Sequence, residues 1–353
     1  LGDLVAIDGM NRDTVFATVG AEGLKAAVAF LVDEIEARFL MSVGTDHRGD
    51  KGVYEILNWF ALDAQKLFFA LRTKVDPSDT HVPSIAEMIP GASWSEREVR
   101  DMIGITPDGH PDPRRLILPD DGPDDIHPLR RDVPHNVNPP PAEGLAPKMQ
   151  APPEGASKVA VGPFYPTLEE PVFFNLFVNG EDVVGMDYRG FYSHRGIEKM
   201  ADSVLNYNQI PFLAERICGI CGFVHSCSYC QSVEEAVGIE IPARARYIRS
   251  LVLELERIHS HLLWIGLACH FIGFDTLFMQ VWRIREPVMH LCEAVTGHRK
   301  TYGSNLVGGV RRDVSDEQKK HILTVLAKAE EELKAAVDAI IDDQSLLLRL
   351  KGT

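Results

Sequence analysis

Between residues 136 and 156 the chain runs Asn136-Val137-Asn138-Pro139-Pro140-Pro141 and on to Ala151-Pro152-Pro153-Glu154-Gly155. Proline fixes φ and carries no amide hydrogen, so this stretch makes neither a helix nor a central strand. It reads as an extended linker between a block of residues 1–135 and a block of residues 157–353. The whole chain, 45% hydrophobic and 25% charged, has ordinary globular material and room for two domains.

The first block reads as a small α/β domain. Ala21 to Ala37 has helical spacing at Leu24, Val28, Leu31, Val32 and Ile35. Apolar, aromatic runs at 53–62 and 66–75 flank Asp63-Ala64-Gln65 and read as a hairpin. Ser93, with Glu96 three residues on, predicts a capped helix start. Trp94 through Arg131, dense in proline, glycine and charge, reads as a long ordered loop, suited to docking or held simply by surface ion pairs. No Gly-rich phosphate loop appears, so a mononucleotide site is not indicated.

The second block opens with strands at 159–161, 172–178 and 183–188, the last two joined at Asn179-Gly180. After His194 it becomes helical. Ile248, Leu251, Val252, Leu255, Ile258, Leu262 and Ile265 form a broad apolar stripe within 243–273. Helical patterns continue over 279–296 and 316–350. Met200, Met279 and Met289 read as core residues. The predicted fold class is multi-domain α+β: a small α/β N-terminal domain, a small antiparallel β region, then a mainly α-helical bundle.

A formal net charge of −15 argues against nucleic acid or an anionic membrane surface as the main partner. Six cysteines, all between Cys218 and Cys292, point to a reducing compartment rather than a disulfide framework. The longest apolar run, Leu262 to Phe274, contains His270 and is too short to span a bilayer, so direct membrane insertion is not expected. Both ends read as cut, at Leu1 without an initiator methionine and at Thr353 just past a helical pattern.

Chemistry concentrates in Glu215-Arg216-Ile217-Cys218-Gly219-Ile220-Cys221-Gly222-Phe223-Val224-His225. Thiolates suit soft, late metals, and a gap of two lets both sulfurs reach one centre. On a helix, Cys218, Cys221 and His225 would share a face while Cys227 and Cys230 point elsewhere. Gly219 and Gly222 leave space beside the backbone, and Arg216 would favour ionised thiols. Redox, zinc and iron–sulfur chemistry all remain open at this level.

Arg-x-Cys-Gly-x-Cys-x-x-x-His resembles the N-terminal metal-binding motif of nickel–iron hydrogenase large subunits. With His194-Arg195-Gly196-Ile197-Glu198-Lys199, Glu254 through Leu263, and Gly303-Ser304-Asn305-Leu306-Val307-Gly308-Gly309, the resemblance narrows to the membrane-bound, energy-converting hydrogenases of the formate hydrogenlyase and hydrogenase-4 type. Their first domain is similar to the 30-kilodalton-type subunit of complex I. The second is similar to its 49-kilodalton-type subunit, which lacks the two cysteines.

The resemblance implies residues 1–135 as a docking domain and residues 157–353 as the N-terminal part of the large subunit. It implies Cys218 as a terminal nickel ligand, Cys221 as a bridge between nickel and iron, and Cys218 as catalytic. The second cysteine pair of the family, in an Asp-Pro-Cys-x-x-Cys context, does not occur up to Thr353, so half a site is expected here. His225 and Arg216 would sit just outside the ligands, His225 as a donor toward the bridging sulfur. Glu170 would relay protons, and Tyr165 stands where many relatives carry histidine. The implied cofactor is a nickel–iron centre whose iron carries cyanide and carbon monoxide, with iron–sulfur clusters in partner subunits only. The implied partners are an iron–sulfur small subunit, a ferredoxin-like electron-transfer subunit and integral-membrane ion-translocating subunits, on the cytoplasmic face of the membrane. Two other readings stand beside this one: a complex I-like quinone-linked subunit without a metal, and a zinc or iron–sulfur module using Cys218, Cys221, Cys227 and Cys230.

Overall fold

The computed structural model describes residues 5–137, 149–164 and 170–351. Two compact units part between Lys199 and Met200. In the first, β1 (Val5–Asn11) and β2 (Thr14–Val19) form a hairpin, and α1 (Leu24–Ala29) is the centre of a helical stretch over 21–34. The strands β3 (Arg38–His47), β4 (Val53–Leu62) and β5 (Leu67–Val75) follow, giving the sheet order β1-β2-β5-β4-β3. Within this sheet β2 and β5 pair in parallel and the other neighbours are antiparallel. The helical stretch lays Leu24, Ala27, Val28 and Leu31 on Ala17, Phe60 and Leu71, and all seven are buried.

After the short strand β6 (His81–Pro83) comes α2 (Ser93–Ile103), where the sequence places a helix. Its expected serine cap does not form. Ser93 is already helical, behind the 3₁₀ turn Pro90–Ala92, and Glu96 accepts instead from Ser84 Oγ (2.6 Å) and the Ile85 amide (2.7 Å). A longer-range partner outcompetes the local box.

The loop beyond α2 and β7 (Thr106–Asp108) is ordered from within. One oxygen of the buried Asp101 accepts the amides of Leu116 (2.9 Å), Ile117 (2.9 Å) and Leu118 (3.1 Å). Asp101→Ala would leave three amides without their acceptor. The expected loss is about 3 kcal/mol, read as a lower urea midpoint at unchanged slope.

The strands after the linker, β8 (Ser157–Val161), β9 (Phe173–Asn179) and β10 (Asp182–Arg189), form an antiparallel sheet with the expected Asn179-Gly180 turn. They belong to the first unit. Buried Asp187 accepts from Arg114 Nη1 (3.1 Å) and the Gln150 amide (2.7 Å), and Tyr188 stacks on Trp94. Of the linker, residues 138–148 lie outside the described residues. We propose 136–156 as the covalent junction of the two sequence blocks, although the compact units part further along.

The helix α3 (Ile197–Ser203) carries the chain into the second unit, where α4 (Ile210–Ala214) and α5 (Gly222–Val237) follow. Then come α6 (Ala243–Phe271) and α7 (Asp275–Thr296), the two-residue strands β11 (Asn305–Leu306) and β12 (Gly309–Val310), α8 (Asp316–Asp342) and α9 (Gln344–Leu350). The apolar stripe of α6 is buried at Ile248, Val252, Leu255 and Leu262 against α7 residues Val281, Ile284, Val288 and Leu291. Met289 is buried as expected, whereas Met279 is 66% exposed and Met200 37% exposed, so those two are not core residues. A methionine alone carries no facing information; its place in the helical period does. Among the described residues no helix is long and apolar enough to cross a membrane.

Candidate metal centre

The two thiols do not meet on one helical face. The 3₁₀ turn Glu215–Ile217 ends at Cys218, which is extended (φ −138°, ψ 137°), and Cys221 stands as the residue before α5. The chain reverses between them, and the amides of Ile220 and Cys221 both donate to Cys218 Sγ at 3.3 Å. His225, one turn into α5, places Nε2 3.6 Å from Cys221 Sγ. Both cysteines are half-buried and free. Cys218, Cys221 and His225 are therefore one cluster, assembled by a turn and a helix start.

Arg216 is held by partners around the turn. Its guanidinium lies 4.5 Å over the Tyr302 ring and donates to Phe212 O and Glu215 Oε2. Burial, a hydrogen bond donated by the Cys221 thiol to Cys218 and the charges of Cys218 and Glu256 push the Cys221 thiol up to about 12. A bound cation would reverse that preference, because metals take thiolate and release the proton.

Three residues outside the cysteine motif hold the loop in shape. Glu256, buried on α6, accepts the Phe223 amide (2.8 Å), the Val224 amide (3.0 Å) and Thr301 Oγ1 (2.7 Å). It thereby closes the N-terminus of α5 just past Cys221, and burial raises its pKa. Tyr302 donates its hydroxyl to Cys218 O (3.0 Å), and buried Glu215 accepts the Gly303 amide (2.8 Å). Gly222 is required at this junction, since a Cβ would stand 2.3 Å from Tyr302 Cε1 and 2.6 Å from Glu215 O. The one sequence signal for Glu256 is an acid among the buried positions 252, 255 and 259 of a helix. Nothing local points to Thr301 or Tyr302.

Cation and imidazole complete the surroundings. Among the described residues a Cβ on Gly219 would meet only Lys300 Nζ, at 3.9 Å, so the loop is open on that side. Burial, then Arg285 and Arg299, lower the Lys300 pKa. His259 is fully buried, and Arg285 donates to its Nδ1 (3.3 Å) and to its carbonyl (2.9 Å). Arginine only donates, so the ring hydrogen sits on Nε2, which has no partner among the described residues. Burial, Arg285 and Lys300 bring the His259 pKa down to about 4. His261, two residues on, is exposed.

Glu170 is an exposed residue of the first unit, just before β9. Tyr165 is outside the described residues. Cys227 and Cys230 do not join the pair. Both are buried in the body of α5, and burial pushes the Cys230 thiol up to about 12. The four-cysteine arrangement therefore has no geometric support.

Two half-exposed soft sulfurs, one already receiving two amide hydrogens, suit a soft late metal. The open space over Gly219 is compatible with a bound group beside the two sulfurs. Among the described residues no three histidine, cysteine or acidic side chains, this cluster included, are placed to hold one metal ion between them. The two sulfurs supply part of a metal ligand set and not the whole of one.

Three family models match successive parts of the chain. They are the respiratory-chain NADH dehydrogenase 30-kilodalton subunit over residues 17–138, the nickel-dependent hydrogenase over 195–272, and the respiratory-chain NADH dehydrogenase 49-kilodalton subunit over 272–353. Hydrogenase-4 component G of Escherichia coli is 42% identical over 344 residues, 96% of this chain and 62% of that protein. Formate hydrogenlyase subunit 5 of the same organism is 41% identical over 347 residues, 97% of this chain and 61% of that protein. The chain thus spans about three-fifths of the length of these curated relatives. A solved membrane-bound sulfane sulfur reductase, an archaeal respiratory membrane complex, has a chain with TM-score 0.53 and 29% identity, covering 56% of this chain and 53% of its own. The cysteine motif falls inside the nickel-dependent hydrogenase match, whose family implies a nickel–iron centre. The chain thus joins a segment similar to the 30-kilodalton subunit to segments similar to the nickel-dependent hydrogenase and the 49-kilodalton subunit, and over nearly its whole length it is similar to hydrogenase-4 component G and formate hydrogenlyase subunit 5.

Proposed function

We propose that this chain carries the nickel-binding half-site of a membrane-bound nickel–iron hydrogenase large subunit, within a formate-hydrogenlyase-like complex. The supporting observation is the cluster of Cys218, Cys221 and His225, built on a braced turn inside the segment that matches the nickel-dependent hydrogenase model. When bound, the centre (nickel, and iron with cyanide and carbon monoxide) supplies the redox site at which two protons and two electrons interconvert with H2.

The residues of this chain do the remaining work. Cys218 and Cys221 would hold the metals, with Cys218, whose sulfur already accepts two amide hydrogens, as the catalytic thiolate. His225 orients or donates toward Cys221 Sγ, and Arg216 with Tyr302 fixes the entry to the turn. Glu170 is proposed as a proton relay. Electrons would pass to an iron–sulfur small subunit and a ferredoxin-like subunit. Integral-membrane ion-translocating subunits would hold the assembly at the cytoplasmic face of the membrane.

The test is metal analysis of the matured, intact complex. About one nickel per large subunit is expected in the unaltered protein, and close to none in Cys218→Ser or Cys221→Ser at equal subunit content. Retention of nickel by both variants would sink the proposal. The 30- and 49-kilodalton matches favour a second reading, a complex I-like quinone-linked element. That reading requires no nickel in the unaltered complex and an unaffected Cys218→Ser variant.

A further inference from the structure

The first unit contains a polar cavity of about 270 Å³, lined among others by Arg100, Gly104, Arg115, His127 and Arg130. That volume admits a small polyatomic ion with a few waters. Its acids are already committed. Asp101 accepts three backbone amides, and Asp124 pairs with Arg115 at 2.7 Å. Among the described residues neither Arg100 nor Arg130 pairs with a carboxylate. Arg100 donates to Pro113 O, and Arg130 uses Nε on Ile103 O (2.6 Å). In a chain with a formal net charge of −15, this cavity collects uncompensated positive charge.

His127 adds a feature that a plain cationic pocket lacks. Its Nδ1 lies 3.0 Å from the Asp101 carbonyl, which can only accept, so the ring hydrogen is on Nδ1 and Nε2 presents a lone pair. Burial outweighs that bond, and Arg130 and Arg115 add to it, keeping the ring below the usual histidine pKa and neutral. Gly104 ends α2 at φ +82°, and a Cβ there would stand 2.3 Å from Arg130 Nη2 and 2.5 Å from His127 Nε2. Glycine keeps clear the point where a donor and an acceptor converge.

We propose that this cavity binds a small tetrahedral oxyanion that carries its own proton, inorganic hydrogen phosphate. The arginines donate to its bare oxygens, and its P–O–H donates to His127 Nε2. Sulfate has no proton at neutral pH and would set an oxygen lone pair against that nitrogen. A phosphomonoester dianion has the same defect.

The experiment is calorimetric titration of the full chain at neutral pH in buffer free of phosphate and sulfate. Separate arms use inorganic phosphate, sulfate and glycerol phosphate. Saturable one-to-one phosphate binding is expected, at least about tenfold tighter than sulfate or glycerol phosphate. Arg100→Gln should weaken it at least about tenfold, while Arg38→Gln, at an exposed arginine paired with Asp63, should leave it unchanged. Equal binding of sulfate would overturn the role of His127. Equal or tighter glycerol phosphate binding would overturn free phosphate as the ligand. No heat of binding up to about 10 mM phosphate would overturn the site itself, that being too weak for two charge-assisted contacts. The anion ratio is read on the unaltered chain, so it decides whether or not the variant folds.

Discussion

Replacing Arg249 with methionine is expected to destabilise the second unit by about 3–5 kcal/mol, the largest effect of any single change outside the cysteines. Arg249 and Glu234 have side chains only 3% and 7% exposed, and the guanidinium meets both carboxylate oxygens, at 2.9 and 2.7 Å. The same Nη2 also donates to Leu306 O (3.0 Å) and Gly309 O (2.9 Å), and the Gly308 amide donates to Glu234 (2.7 Å). Methionine fills the space but leaves a buried carboxylate and two carbonyls without the cation. A urea melt of the full chain followed by helical circular dichroism reads the loss, and a shift under about 1 kcal/mol would contradict it.

The pair also sets a pH dependence. Burial alone would raise the Glu234 pKa, but the bonds from Arg249 and Gly308 and the charge of Arg249 outweigh it, so the folded value is depressed. A depressed carboxylate contributes stability above its unfolded pKa and loses it as pH falls through the folded value. Stability of the unaltered chain should therefore fall on acidification below the ordinary glutamate range, and part of that fall should vanish in Arg249→Met.

Replacing Glu256 with alanine is expected to release the start of α5. Two amides and one hydroxyl lose a buried acceptor, at about 1–3 kcal/mol each, partly offset by no longer burying a carboxylate. A net loss of about 3 kcal/mol corresponds to roughly 100-fold faster hydrogen exchange at the Phe223 and Val224 amides. Exchange mass spectrometry over residues 215–230 measures this directly. Glu256→Gln, which keeps one acceptor, should fall between the two, and unchanged protection in Glu256→Ala would show that the loop holds itself.

The cysteine motif, the long helices and the Asn179-Gly180 hairpin are all legible in the amino-acid sequence, because each is written within a few residues. A helical period buries Val252, Leu255 and Leu262 on one side, and a two-residue turn sets the register of β9 and β10. The parallel pairing of β2 with β5 has no such signal, since its partners lie some fifty residues apart, at Thr14 and Phe68 for example.

The sequence by itself determined which side chains are available for metal chemistry: two soft sulfurs and an imidazole at fixed spacing. Tertiary structure decided how they meet. An extended Cys218 and a helix starting past Cys221 replaced the assumed helical face. That turn is held by Glu256, 33 residues from Phe223, and by Tyr302, 84 residues from Cys218. Spacing along a chain encodes local geometry only. A buried carboxylate or hydroxyl reaches its partner because the surrounding core excludes water from both, and that exclusion exists only once the chain has folded.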